Sequence, residues 1–98
     1  MLVNIQKSYR DIVSICDSEL LGKKFEEGNF QLEIKESFFK GNEKTKEEVL
    51  DIIEKMTQED ATFNIVGEKS VQTAIDAGII NPESVKKIQG IPFAMVLL

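Results

Sequence analysis

The stretch Asn64-Ile65-Val66-Gly67-Glu68-Lys69-Ser70-Val71 constrains the chain most, because an apolar run meets a glycine there and turns directly into a helical pattern. Residues 61–66 read as a buried strand. Residues 68–77 read as a helix with Val71, Ala74 and Ile75 inward and Gly78 just past its end. Such a junction aims free backbone N–H groups beyond the strand end, with the positive pole of the helix behind them. It is therefore a candidate anion site, built around Gly67 from the N–H groups of Glu68, Lys69 and Ser70, the Lys69 ammonium and the Ser70 hydroxyl. Glu68 argues against a phosphate there, and the glycine and Lys-Ser spacing of a P-loop is missing. The competing reading is a tight turn in which glycine relieves a clash.

Residues 2–7 and 12–16 are rich in β-formers and flank Ser8-Tyr9-Arg10-Asp11, which predicts a hairpin. Val3 and Ile5 share one face, as do Val13 and Ile15. Ile12 and Cys16 fall on the other, so the second strand is expected to be covered on both sides. Asp17 is expected to cap a single turn closed by Gly22. Residues 23–29 read as a polar connection anchored by Phe25. Phe30, Leu32 and Ile34 then alternate inward along a half-buried strand. Residues 37–41 form an aromatic segment leading to a charged loop. Thr45-Lys46-Glu47-Glu48 is a capping box, followed by the helical stripe Val49, Ile52, Ile53 and Met56 with Leu50 at its edge. Asn81 and Pro82 open one more turn. Residues 85–88 and 91–98 read as strands joined through Gln89-Gly90. The last, continuously apolar, suits a central strand covered on both faces or a segment covered by a partner. The order β-β-β-α-β-α-β-β predicts one α+β domain over residues 1–98, with a mixed, mostly antiparallel sheet.

Composition narrows the chemistry. The chain has 98 residues, enough for one domain, and no apolar run of the ~20 residues a membrane span needs. No signal peptide is evident at the start, and the single cysteine cannot form an internal disulfide, so a reducing cytoplasm is the expected location. There is no histidine, which removes the usual neutral-pH base, the usual activator of Ser or Cys, and the commonest zinc ligand. The formal charge of −5 disfavours non-specific coating of nucleic acid, and no DNA or membrane partner is expected.

Three groups of residues remain as candidates. Cys16 lies beside Asp17 and Glu19, which disfavour its thiolate, so a buried structural cysteine is the expected reading. Asp17, Glu19, Glu26 and Glu27 are magnesium-type ligands by residue type, or else solvated surface acids. Lys23, Lys24, Lys86, Lys87 and Arg10, with Tyr9 as a stacking face, suggest a small patch for RNA phosphates, or ordinary surface charge.

The runs Cys16 to Lys23, Ser37 to Gly41, Asn64 to Gly67 with Val71, Ala74, Ile75 and Gly78, and Gly90 to Ala94 resemble the domain-of-unknown-function family 424 in the right order over nearly the whole chain. The resemblance implies a small stand-alone cytoplasmic α+β protein of archaeal type, and supplies no activity. The family pattern has a tyrosine near Phe39 and a histidine near Phe93; both are phenylalanine here, which argues further against an enzyme. It also implies an association with translation and RNA processing. The expected function is a non-enzymatic binding module for an RNA or ribonucleoprotein partner, without cofactor or metal. Its contacts would run through Gly67, Lys69, Ser70, Lys23, Lys24 and Arg10. The alternative is a protein–protein adaptor or self-associating subunit that touches no nucleic acid and uses the apolar C-terminal strand.

Overall fold

Strands β1 (Leu2–Gln6) and β2 (Ile12–Cys16) form an antiparallel hairpin in the register Leu2↔Cys16 to Gln6↔Ile12. A computed structural model of the chain provides this structure and describes residues 1–97. A short 3₁₀ turn, Ser18–Leu20, leads from β2 into a second hairpin, β3 (Lys24–Glu27) and β4 (Phe30–Glu33). Then come α1 (Glu36–Phe39), β5 (Asn42–Glu43), α2 (Lys46–Gln58), β6 (Thr62–Val66) and α3 (Glu68–Asp76). A 3₁₀ turn at Pro82–Ser84 precedes β7 (Lys86–Ile88) and β8 (Ile91–Leu97). Leu98, the last residue of the expected C-terminal strand, lies outside the described residues.

The main sheet has the order β5-β1-β2-β6-β8-β7. Among the described residues only β2 and β6 run parallel; the other pairings are antiparallel. This is the mixed, mostly antiparallel α+β sheet that the alternation predicts. Short β3, α1 and β5 are additions to the expected order.

Local chemistry accounts for the elements. The α2 capping box forms in full: Thr45 Oγ1 accepts from the Glu48 N–H, and the Glu48 carboxylate accepts from the Thr45 N–H at 2.9 Å. Gln89 and Gly90, with φ of 51° and 78°, give the two-residue turn between β7 and β8 the left-handed geometry that matches strand twist. Gln89 also ties this turn to the second hairpin, its backbone N–H donating to Glu27 at 2.9 Å and its side chain donating to the Glu26 carbonyl.

Both sheet faces are covered, as the β2 pattern requires. One face packs Val13, Ile15, Phe63 and Ile65 against Val49, Ile53 and Met56 of α2 and Val71 and Ala74 of α3. The other packs Cys16 and Val66 against Leu20, Ile34 and Phe39, supplied by the first 3₁₀ turn, the end of the second hairpin and α1.

Three expectations change. Residues 24–27 are not a connection but strand β3, closed on β4 by a tight turn with Gly28 at φ 61°; their charge masks a hairpin whose outer face is wet. Phe30 does not point into the core: it sits at the overhanging hairpin tip, 71% exposed, while Leu32 is half-buried and Ile34 fully buried. The C-terminal strand is covered unevenly, because Pro92, Ala94 and Val96 face the helices whereas Met95 and Leu97 stay exposed on the hairpin side.

Candidate functional site

The Gly67 junction is filled from within. Asp17, 4% exposed at the end of β2, accepts hydrogen bonds from the Lys69 N–H at 3.1 Å, the Ser70 N–H at 2.8 Å and the Ser70 hydroxyl at 2.7 Å. Asp17 thus caps α3 and makes no side-chain cap bond to the 3₁₀ turn that follows it. The tight-turn reading describes Gly67 well: φ is 110°, and a Cβ there would lie 2.3 Å from the Asp17 carboxyl carbon. Backbone bonds close the corner, Asp17 N–H to Val66 C=O at 3.1 Å and Gly67 N–H to Pro92 C=O at 2.8 Å. Three of the donors assigned to an external anion, the Lys69 and Ser70 N–H groups and the Ser70 hydroxyl, are taken by an internal carboxylate, and the Ser70 side chain is fully buried.

The basic residues are not gathered around that corner. Lys69 is exposed beside Glu43, whose carboxyl is held below its ordinary value by hydrogen bonds from the chain's terminal ammonium and Ser18, with Lys69 adding a smaller effect. Lys24 pairs with Glu26 at 3.3 Å, and exposed Lys23 leads into the hairpin. Arg10 and fully exposed Tyr9 lie in the β1–β2 turn at the opposite end of the sheet, about 16 Å away at ~3.3 Å per strand residue. Lys86 and Lys87 point to opposite faces of the sheet.

A groove on the hairpin side of the sheet is the better site. It has a volume of about 570 Å³, within the range of ligand pockets. Leu32 and Glu33 of β4 and Phe38 and Phe39 of α1 form one wall. Asn64, Val66, Phe93 and Met95 form the floor, and Ser84 and Lys86 the far rim. Phe38 and Phe39 meet edge to face with ring centres 5.4 Å apart. Phe93, Met95 and Leu97 share this face by alternation, so the apolar floor continues past the groove as an exposed strip.

A polar row crosses this apolar face. Asn4, Ser14 and Asn64 are register partners on β1, β2 and β6, and Met95 follows on β8. Asn4 donates to the Phe38 carbonyl at 2.8 Å and so anchors α1 to the sheet. Ser14 is fully buried, and its hydroxyl has no hydrogen-bond partner among the described residues. Asn64 is half-buried and lines the groove. Hydrophobic periodicity alone does not single out these residues. A signal existed: each of Leu-Val-Asn-Ile-Gln, Ile-Val-Ser-Ile-Cys and Thr-Phe-Asn-Ile-Val carries a small polar residue at its third position.

The Cys16 thiol is pushed up to about 11, first by burial and then by the neighbouring Asp17 charge. Among the described residues no group of three or more Cys, Asp or Glu side chains is placed to hold a metal ion. Asp17 is committed to α3, and Glu27 to Gln89. Among the described residues no helix is long and apolar enough to cross a membrane.

Comparison with known proteins agrees with this architecture. No curated protein matches the chain. A crystal structure of an uncharacterized conserved protein from Methanopyrus kandleri superposes with a TM-score of 0.86 at 24% identity, over 98% of this chain and 90% of that one. That likeness shows the fold. The chain matches the family described as "Protein of unknown function (DUF424)" over residues 5–98, and it belongs to that family.

Proposed function

We propose that this family member is a non-catalytic binding module that docks on a protein partner through the groove and the exposed strip beside it. The observation that carries this reading is the C-terminal strand, where Met95 and Leu97 are 65% and 71% exposed in direct continuation of a groove walled by phenylalanines. Monomeric proteins expose such contiguous apolar surface mainly where something binds. The formal charge of −5 favours a partner segment with basic flanks. A non-catalytic role is supported by a chain without histidine and by a thiol held protonated at neutral pH. A reducing archaeal cytoplasm suits one free, buried cysteine and the source of the structural neighbour.

Of the two readings raised by the sequence, the adaptor is favoured over an RNA contact, because the lysines are dispersed and the helix start is self-capped. The discriminating experiment sets Met95→Asp/Leu97→Asp protein against Lys23→Glu/Lys24→Glu/Lys69→Glu protein in affinity isolation, with and without nuclease. Partners lost only in the first variant and insensitive to nuclease are expected. Partners lost in the lysine variant, or released by nuclease, restore the RNA reading. Sedimentation identifies the case in which the partner is a second copy of the chain.

A further inference from the structure

The apolar strip of β8 is only half open. Ile91, Phe93, Met95 and Leu97 share one face by alternation, yet Ile91 and Phe93 are half-buried where Met95 and Leu97 are exposed. The difference is the β3–β4 hairpin. It forms a two-stranded sheet of its own, and both of its strands contact β7, the neighbour of β8. Its Phe25 and Leu32 gather with Ile91 and Phe93 around the second core.

This cover is held firmly at one end and lightly at the other. At the base, Ile34 is fully buried; its C=O accepts from the Gly22 N–H at 2.7 Å and its N–H donates to the Lys23 C=O at 2.9 Å. Along the ribbon, Phe25 and Leu32 are half-buried and every other strand residue is exposed. A two-stranded ribbon is marginal in water by itself, and a segment with so little buried apolar surface opens at low cost. At the tip, Gln89 ties the ribbon to the main sheet through its N–H to the Glu27 carboxylate at 2.9 Å and its side-chain amide to the Glu26 C=O, both at the surface. The turn itself favours Asn or Gly at residue 89, where φ is 51°. Glutamine adds the methylene that carries its amide to Glu26.

We infer that the β3–β4 hairpin is a lid, hinged at its Gly22 and Ile34 base and latched at its tip by Gln89, that opens to uncover the Ile91 and Phe93 half of the apolar strip. Opening lengthens the strip from about 7 Å, Met95 to Leu97, to about 20 Å, Ile91 to Leu97, at ~3.3 Å per residue. It also removes the groove wall that Leu32 and Glu33 supply. As regulation of the docking surface the lid rests on the docking reading above, whereas the opening is a property of the chain alone.

The test places one reporter thiol on each half of the strip, Ile91→Cys and separately Met95→Cys, and follows labelling by a disulfide reagent; Cys16 is buried. Met95→Cys should label promptly and Ile91→Cys slowly, at the rate set by opening. Adding Gln89→Asn, which keeps the turn and drops the Glu26 bond, should speed Ile91→Cys roughly fivefold, the worth of one hydrogen bond. It should leave Met95→Cys unchanged and melt no lower than the parent. Glu27→Ala should speed Ile91→Cys in the same way through the other bond. In low urea the Ile91→Cys rate should stay nearly flat while that of Cys16 climbs steeply, because the lid exposes little surface and global unfolding exposes much. Leu32→Cys, on the underside of the lid, gives the same comparison if Ile91→Cys does not fold. Three results overturn the lid: the covered reporter labelling as fast as Met95→Cys, a rate unmoved by both latch substitutions, or a rate that rises with urea in step with Cys16. None of these measurements uses a partner, so they fail independently of the isolation with Met95→Asp/Leu97→Asp, which decides the docking reading.

Discussion

Gly67→Ala tests the α3 corner most sharply, because the substitution and the Asp17 cap compete for one space. A Cβ at Gly67 would lie 2.3 Å from the Asp17 carboxyl carbon, and the side chain in its path is buried and triply bonded, so Asp17 must be driven off the helix start. Losing that cap leaves the Ser70 N–H and hydroxyl buried without their acceptor, about 3 kcal/mol. Holding alanine at φ 110° adds about 1–3 kcal/mol. Gly67→Ala should therefore cost about 4–6 kcal/mol, and Asp17→Ala alone about 3 kcal/mol. Their combination should cost no more than Gly67→Ala, because the cap is lost only once. Chemical denaturation of the four proteins completes the cycle, in sulfate buffer so that the weakest variant stays folded. The coupling is expected near 3 kcal/mol. Additivity within about 0.5 kcal/mol would refute the shared-space argument.

Three further outcomes follow from the same geometry. Phe39→Ala should destabilise by about 3–5 kcal/mol, whereas Phe30→Ala at the exposed tip should stay within about 0.5 kcal/mol; comparable losses in thermal melts would contradict the hairpin's placement. The carboxyls of Glu48 and Asp76 are lowered from ordinary values of 4.5 and 3.8, the first by the Thr45 backbone and hydroxyl, the second by Lys46 and Gln72. Stability from these groups is thus present above those ordinary values and lost as pH falls through the lower folded ones, and Thr45→Ala, which keeps the backbone N–H, should remove only the smaller, hydroxyl share of the Glu48 part of an acid titration. Cys16, buried with its thiol near 11, should resist a disulfide reagent at pH 7 in native protein and react promptly in urea; fast native labelling would contradict its burial.

The legible parts of this fold were those written in local spacing. The capping box at Thr45, the alternation in β1 and β2, and the glycine after β6 each place a requirement on neighbours within a few residues. Asp17 escaped because its partners lie 52 and 53 residues away, and an acid before a short turn looks like that turn's own cap. β3 escaped because Lys24, Glu26 and Glu27 make a two-stranded ribbon that buries only one edge of its pattern. The groove was invisible for a related reason. Its floor residue Asn64 and the buried Ser14 become neighbours only when register sets their strands side by side.

That register also governs the order in which the chain can acquire structure. The parallel pairing of Ile12–Cys16 with Thr62–Val66 joins segments 50 positions apart, and the Asp17 bonds to α3 span 52 and 53. During synthesis the β1–β2 hairpin can close early, but its β2 edge, apolar on both faces, must wait until β6 has emerged. The central seam thus closes only after β6 has emerged, and a chain stalled before residue 66 presents an open, hydrophobic strand edge to its neighbours.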